Sequence, residues 1–193
     1  MSDPLADLLR EARRFHEATP ALADFAAWPD DLSPDDNAPI HVPAADLVAG
    51  YDAPTVAPDF VAAIRAAVPL MEWRQSYTEA EVGAEFLSRY CYFELFGPRG
   101  HFRTDQARGY VGYWGEGLHY DWHDHEAEEL YFVLGGSAQF MAEGKEDAVV
   151  SAGETQHHTA NQRHAMTTGE KPILTYVLWR GAGLAGVPAM SAA

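Results

Sequence analysis

The segment from Gly117 to Gly136 constrains this chain more than any other, because it sets two histidines and a glutamate between two glycines at fixed spacing. It reads GLHYDWHDHEAEELYFVLGG, in which His123, His125 and Glu129 follow an H-x-H-x-x-x-E pattern. Side chains alternate faces along an extended strand, so residues i and i+2 point to the same side. A short turn can then bring Glu129 to the histidines, and the pattern predicts a group of metal ligands on strands.

Imidazole and carboxylate together form a ligand set for a borderline first-row divalent ion. We therefore expect one divalent transition metal, Zn or Fe, with Mn, Co and Ni as alternatives. Histidine pairs at this spacing also occur on ordinary surfaces, but the five-point pattern in a β-rich context favours a metal site. A third nitrogen ligand should come from another strand, and three downstream histidines are candidates: His157, His158 and His164.

Charge and cysteine usage limit the classes of partner and compartment. The chain has 193 residues with 13 Lys and Arg against 29 Asp and Glu, a net charge of −16. Such a charge argues against nucleic acid and anionic membranes as partners. The single cysteine, Cys91, excludes an internal disulfide, and no apolar run approaches the roughly 20 residues of a membrane span. We expect a cytoplasmic protein, either a monomer or a homodimer.

The first half of the chain is predicted to be mainly helical. A first helix is capped by Ser2 or Asp3, and a second opens at Pro58. A third begins with a T-x-x-E capping box at Thr78 and ends at Gly97. Its apolar face is predicted to consist of Val82, Phe86, Tyr90 and Phe93.

The second half changes character, because short segments rich in β-branched and aromatic residues alternate there with glycines and charged turns. This pattern is typical of an antiparallel barrel or sandwich. We expect a mainly β protein, in which a helical region (1–97) packs on a β-barrel (98–193) as one structural unit. Strand parity sets Tyr131 on the side of Glu129, whereas simple alternation sends Tyr120 outward unless its strand starts irregularly.

The spacing around the histidines resembles the first motif of the cupin superfamily, G-x5-H-x-H-x3-E-x6-G, which Gly117 to Gly136 meets in full. The second cupin motif is G-x5-P-x-G-x2-H-x3-N. Aligned on Gly153, it places Asn161 at the second glycine and His164 at the histidine, and only Gly153 and His164 match. The resemblance implies a cupin fold, a double-stranded β-helix or jelly-roll barrel, and it favours His164 as the third nitrogen ligand.

The whole arrangement closely resembles the bacterial dimethylsulfoniopropionate (DMSP) lyases of the cupin type, most sharply from Tyr120 to Tyr131 and from His164 to Trp179. The resemblance implies metal ligation by His125, Glu129 and His164, with Tyr131 at the metal and His123 also in the site. It implies Tyr120 and Tyr131 as candidate bases. The substrate-binding residues that it implies are Tyr120, His123, Tyr131 and Trp179.

This resemblance implies a β-elimination that converts DMSP, a small zwitterion, to dimethyl sulfide and acrylate. A metal ion would act as a Lewis acid toward the substrate carboxylate, a tyrosinate would take the proton from the adjacent carbon, and aromatic faces would contact the sulfonium. Cupins host many chemistries. Two alternatives are another metal-dependent cupin enzyme, such as a dioxygenase or isomerase, and a cupin that binds a small ligand without catalysis.

Overall fold

The computed structural model describes residues 3–190, and the predicted cap Ser2 therefore lies outside the described residues. The helices are α1 (Pro4–Ala18), α2 (Pro20–Phe25), α3 (Pro43–Ala49), α4 (Pro58–Ala67), a 3-10 helix (Val68–Leu70) and α5 (Glu79–Arg89). The carboxylate of Asp3 accepts a hydrogen bond from the backbone N–H of Leu5 at 3.0 Å, so Asp3 caps α1. No helix within residues 3–190 combines the length and hydropathy needed to cross a bilayer.

The strands form two sheets, and nearly all neighbouring strands are antiparallel. They are β1 (Ser33–Pro34), β2 (Tyr90–Gly97), β3 (Phe102–Arg103), β4 (Arg108–Trp114), β5 (His119–Asp124), β6 (Glu128–Gly135), β7 (Ser137–Ala142), β8 (Ala148–Ser151), β9 (Thr155–His158), β10 (His164–Thr168), β11 (Ile173–Arg180) and β12 (Ala189–Met190). The larger sheet has the order β1-β3-β2-β4-β11-β6-β9, and the smaller has the order β12-β5-β10-β7-β8. The β2–β3 pair is parallel.

Two apolar cores lie on opposite faces of the larger sheet. The inner core joins residues of both sheets, among them Tyr131 and Val177 from the larger sheet and Phe140 and Met166 from the smaller. The outer core packs the helices against the other face of the larger sheet. It includes Leu8, Val48, Ile64, Phe93 and Tyr176. The structure thus confirms a mainly β cupin fold with an N-terminal helical region.

The prediction for the third helix is correct at its start and wrong at its end. The carboxylate of Glu81 accepts hydrogen bonds of 2.7 Å from the backbone N–H and from the hydroxyl of Thr78, as a capping box predicts. The helix ends at Arg89, and Tyr90 and Phe93 belong to β2 instead. All eight residues of β2 are buried. A strand covered on both faces reads as a continuous apolar run, which periodicity does not separate from a buried helix.

Gly136, the last glycine of the first motif, has a structural reason of its own. It turns the chain from β6 to β7 with φ of 80°, in the left-handed region that favours glycine. A Cβ at this position would overlap the carbonyl oxygen of Pro172. Gly144, between β7 and β8, has a nearly equal φ of 77° but no heavy atom within 4 Å of an added Cβ.

This pair of glycines gives a test of the packing at the motif turn. Gly144→Ala should lower the free energy of unfolding by about 1 kcal/mol, because only the left-handed backbone is penalised. Gly136→Ala should lower it by roughly 3 kcal/mol, because a steric clash is added to the same backbone cost. Urea denaturation of both variants and the parent protein measures the difference. Equal losses in the two variants would contradict the clash with Pro172.

Candidate metal centre

Side chains from both sheets converge on Glu129. Cross-strand pairing sets Trp179 of β11 beside Glu129 on β6, and His158 of β9 on its other side. In the smaller sheet, His164 of β10 pairs with His123 of the neighbouring strand β5. The sheets therefore bring side chains that are distant in sequence to a single buried carboxylate.

Each oxygen of the Glu129 carboxylate has two close neighbours. Its Oε2 lies 3.1 Å from Nε2 of His125 and 3.2 Å from Nε2 of His164. Its Oε1 accepts hydrogen bonds from the hydroxyl of Tyr110 at 2.6 Å and from the indole N–H of Trp179 at 2.7 Å. Burial opposes ionisation of Glu129, but His125 and His164 hold its pKa well below the usual range. The carboxylate is therefore anionic despite being 1% exposed.

The backbone orients both imidazoles toward Glu129. Nδ1 of His125 lies 2.9 Å from the carbonyl oxygen of Ala127, and Nδ1 of His164 lies 2.7 Å from that of Gln162. A carbonyl only accepts, so each Nδ1 donates and each Nε2 is left with its lone pair when the ring is neutral. Two lone pairs then converge on a carboxylate oxygen.

These three residues fit a divalent cation. Their ligand atoms all lie within 4.8 Å of one another, and all three residues are buried. Separations of 3.1 and 3.2 Å between donor atoms match ligands that each stand about 2.0–2.1 Å from a shared ion. Nε2 of His164 is buried and makes no hydrogen bond within residues 3–190. A cation would satisfy all of these acceptors at once, so His125, Glu129 and His164 can hold a metal ion.

The turn before His164 explains why the second motif looks degraded. Asn161 stands where that motif has its second glycine, and its φ is 57°. Asparagine is one of the few residues other than glycine that adopt this left-handed conformation readily. The backbone N–H of Asn161 donates to the carbonyl oxygen of His125 at 2.8 Å, which ties the two histidine-bearing segments together. Asn161 thus adopts a backbone conformation that a glycine would adopt readily at this position.

His123 lies beside the three grouped residues and is not one of them. Its ring centroid is 4.1 Å from that of His164, and its Nδ1 is 2.8 Å from the carbonyl oxygen of Asp121. Burial and the neighbouring His164 lower the pKa of His123 to about 3. His123 is therefore a neutral imidazole bordering the site.

Tyr120 faces the interior because β5 carries one extra residue. His123 pairs with His164 and Tyr120 pairs with Met166, so three steps on β5 oppose two on β10. Such a bulge changes which side chains face inward. The irregular strand considered in the sequence is thus present, and Tyr120 is 2% exposed. Its ring stacks on His123 at 4.0 Å, and its hydroxyl lies 2.9 Å from that of Tyr77.

Tyr131 lies on the same face of β6 as Glu129, as strand parity predicts. Its ring centroid is 5.9 Å from that of His158 and 6.1 Å from that of Trp114. Burial, followed by the negative charge of Glu129, raises the pKa of Tyr131 well above its ordinary value. Burial likewise raises the pKa of Tyr120. Both phenols are therefore neutral near pH 7 in the protein alone.

Trp179 contacts an imidazole and a guanidinium. The imidazole of His125 stacks on the indole at 4.2 Å with 27° between the planes. The guanidinium carbon of Arg108 lies 4.6 Å from the same indole ring. Trp179 is therefore packed against both an imidazole and a guanidinium. With its N–H on Glu129, the indole is fixed in position.

Several residues of the site were not predicted from the sequence. Tyr110 and Arg108 share the inner face of β4, and alternation within GYVGYW could have paired Tyr110 with Trp114. His158 packs in the wall, as considered for it, with its ring parallel to that of His164 at 3.9 Å. Its neighbour His157 is partly exposed, with Nε2 3.6 Å from Glu128. No sequence signal separates these two histidines, because their faces depend on the pairing of β9 with β6.

The aromatic side chains next to the grouped ligands enclose a small cavity of about 10 Å³. Its lining includes Tyr90, Tyr92, Trp114, Tyr120 and Tyr131, together with Arg108 and Pro188. A space of this size holds about one water molecule. The site therefore joins a potential cation site to a small aromatic pocket.

Comparison with known proteins identifies relatives along nearly the whole chain. A DMSP lyase family model matches residues 12–175. The chain is 37% identical over 185 residues to the dimethylsulfoniopropionate lyase DddQ of Ruegeria pomeroyi, covering 93% of this chain and 91% of the relative.

Solved structures agree with the sequence comparison. One chain from the crystal structures of the DMSP lyases RdDddP and RnDddQII is 48% identical, with a TM-score of 0.93 and coverage of 98% of both chains. The crystal structure of DddQ from Ruegeria pomeroyi DSS-3 is 35% identical, with a TM-score of 0.91 and coverage of 99% of this chain and 98% of that one. The chain therefore belongs to the DMSP lyase family, a family of carbon–sulfur lyases.

Proposed function

We propose that this protein is a metal-dependent lyase that eliminates dimethyl sulfide from DMSP and leaves acrylate. The observation that carries the proposal is the buried cluster of His125, Glu129 and His164 beside Tyr131 and Tyr120, in a chain that belongs to this family. DddQ of Ruegeria pomeroyi, the relative described above, carries the name of the same activity.

The reaction requires one proton transfer and one bond cleavage. A base removes a proton from the carbon next to the carboxylate, and the electrons of that C–H bond form the double bond of acrylate. The electrons of the C–S bond leave with sulfur, so the sulfonium departs as neutral dimethyl sulfide. The proton on the base then returns to solvent, and no oxidant or reductant is needed.

His125, Glu129 and His164 are the residues that would hold the metal ion. His123 and Tyr131 border the same site and are candidates for further ligation. Nitrogen and oxygen donors suit Zn and Fe best, with Mn, Co and Ni as alternatives. When bound, the ion supplies Lewis acidity that stabilises negative charge developing next to the substrate carboxylate.

The tyrosines supply the base. Tyr131 follows Glu129 on the same face of β6. A divalent cation beside it would lower the pKa of its phenol and so oppose the effect of burial. Tyr120 is the second candidate, and its hydroxyl contacts Tyr77. The rings of the cavity also provide faces for the sulfonium, each worth about 0.5–2 kcal/mol. In this structure Trp179 donates a hydrogen bond to Glu129 and stacks on His125. Its contact with the substrate stays a prediction.

The partners and compartment follow from the rest of the chain. The charge of −16 disfavours nucleic acid and anionic membranes as partners, whereas a small zwitterionic substrate, DMSP, follows from the proposed lyase function. The only cysteine, Cys91, is buried and free, which supports a cytoplasmic location. We infer a monomer or homodimer in which residues 1–97 and 98–193 form one structural unit, supported by the outer core that joins the helices to the larger sheet.

Metal dependence is tested by release of dimethyl sulfide into the headspace above DMSP, under anaerobic conditions. Chelated protein should be inactive, and reloading with Zn, Fe(II), Mn, Co or Ni separately should restore activity and rank the metals. His125→Ala should lose both activity and bound metal. His119→Ala is the matched control, because His119 is an exposed histidine at the start of β5, and it should keep both. Turnover that requires dioxygen would support an oxygenase, and silence with every metal would support a binding protein.

The tyrosine base is tested by removing single hydroxyls. Tyr131→Phe should lower kcat by about 10²–10⁴-fold, as expected for loss of a general base, while DMSP still binds. Tyr120→Phe is the parallel variant, and the larger loss identifies the base. Tyr113→Phe is the control, because Tyr113 is buried on the opposite face of the larger sheet. Near-normal rates in both Tyr131→Phe and Tyr120→Phe would refute a tyrosine base.

A further inference from the structure

Arg108 is a buried cation in the wall of the aromatic cavity. It is 4% exposed and begins the inward-facing row of β4, followed by Tyr110 and Trp114. It pairs across the sheet with Trp179, which pairs in turn with Glu129. Arg108 therefore stands at the level of the metal-binding residues, two strands away. The mechanism above gives this charge no role.

The partners of the guanidinium leave part of it available. Its Nε lies 2.9 Å from Oε2 of Glu94, and its Nη1 donates to the carbonyl oxygen of Gly186 at 3.0 Å. Its Nη2 has no hydrogen-bond or ion-pair partner within residues 3–190. Its Nε, although close to Glu94, is buried and makes no hydrogen bond within residues 3–190. A buried charged donor is costly unless it finds an acceptor.

Arg108 belongs to a network of two guanidinium groups and two carboxylates. Its carboxylate partner, Glu94, is shared with Arg74, whose Nη1 lies 3.4 Å from the same Oε2. The other oxygen of Glu94 accepts a hydrogen bond from the backbone N–H of Arg99 at 2.8 Å. One buried carboxylate therefore serves two guanidinium groups, although Arg74 also pairs with Glu72 at 2.7 Å.

The C-terminal segment (residues 181–190) must move before a substrate reaches this charge. The cavity of about 10 Å³ is several times smaller than DMSP, and Pro188 forms part of its wall. The segment is attached to β5 by two residue pairs, Ala189 with Asp124 and Met190 with His123. Gly186 belongs to the same segment, so its displacement would release Nη1 of Arg108 as a second donor.

We propose that Arg108 binds the carboxylate of the substrate and thereby selects anionic propionates over uncharged analogues. The inference deepens the proposed lyase function and rests on it for the identity of the substrate. A guanidinium presents two N–H groups to one carboxylate, and such pairs are strong when desolvated. A carboxylate has several lone pairs, so this contact is compatible with the role assigned to the cation.

The polarity of the cavity agrees with this orientation. Arg108 lies at one end of the inward row of β4 and Trp114 at the other. Around Trp114 lie Tyr90 at 5.3 Å and Tyr120 at 5.7 Å between ring centroids. Aromatic faces suit the sulfonium, and the arginine suits the carboxylate. The two ends of the zwitterion therefore meet groups of matching character.

Calorimetric binding to the metal-loaded full-length protein tests the proposal without turnover. The probes are propionate, which carries only the anionic end, and trimethylsulfonium, which carries only the cationic end. Arg108→Gln should weaken propionate binding by about 10- to 100-fold, as expected for loss of charge-assisted hydrogen bonds. Its affinity for trimethylsulfonium should change by less than about twofold, and its metal content should not change.

Controls separate recognition from structural damage. Arg180→Gln removes an arginine that pairs with Glu128 outside the cavity, and it should leave propionate binding unchanged. Arg108→Lys keeps the charge beside Glu94, so it should fold even if Arg108→Gln does not, and it should still bind propionate more weakly than the parent protein.

Two results would overturn the proposal. One is unchanged propionate affinity in either Arg108 variant, and the other is an equal loss for propionate and trimethylsulfonium. Headspace assays of DMSP with the parent protein decide the lyase function separately, because propionate binding needs no elimination.

Discussion

The structure of the site depends on the electrostatic environment of one buried carboxylate, that of Glu129. Glu129 takes hydrogen bonds from Tyr110 and Trp179 on one oxygen and has two imidazole nitrogens beside the other. The Nδ1 atoms of those imidazoles are engaged by backbone carbonyls. Burying such an arrangement requires a positive charge at its centre, either protons or a metal ion. Strands of both sheets supply the side chains that surround this carboxylate.

The same burial sets the state of the tyrosines. Low solvent access raises the pKa of Tyr120 and Tyr131, and the negative Glu129 adds to the effect on Tyr131. A phenol that is neutral by default becomes a base only when positive charge is placed beside it. The metal-binding residues and the candidate bases thus form one electrostatic unit, in which the affinity for a cation and the basicity of a phenol are linked.

Much of this site was accessible from sequence because its main motif is local. His125 and Glu129 lie within five residues on one connection, so strand parity and a short turn were sufficient to group them. Tyr131 followed from parity alone. His164 depended on register with a weakly matching motif, and the left-handed conformation of Asn161 accounts for one of its mismatched positions.

What could not be predicted depends on contacts between distant segments. The inward position of Tyr120 requires a bulge whose extra residue is defined only by pairing with β10. The positions of Arg108 and His158 follow from strand neighbours far away in sequence. The assignment of Tyr90 and Phe93 to a helix failed because β2 is buried on both faces and shows no alternation. The local sequence pattern predicts the metal-binding residues, whereas the residues that surround them depend on how the strands pair.

The extra residue in β5 has a wider consequence for how such a site can vary. Without it, Tyr120 and His123 would point to opposite faces of the strand; with it, both point inward. The bulge shifts the alternation of side chains, so the part of β5 that carries Tyr120 and the part that carries His123 can present different faces independently. Insertion or deletion at Asp121 or Trp122 would exchange the inner and outer faces of one part while leaving the other in place. One barrel could in this way gain or lose a phenol next to an unchanged cation site, a route by which related chains could diverge in chemistry.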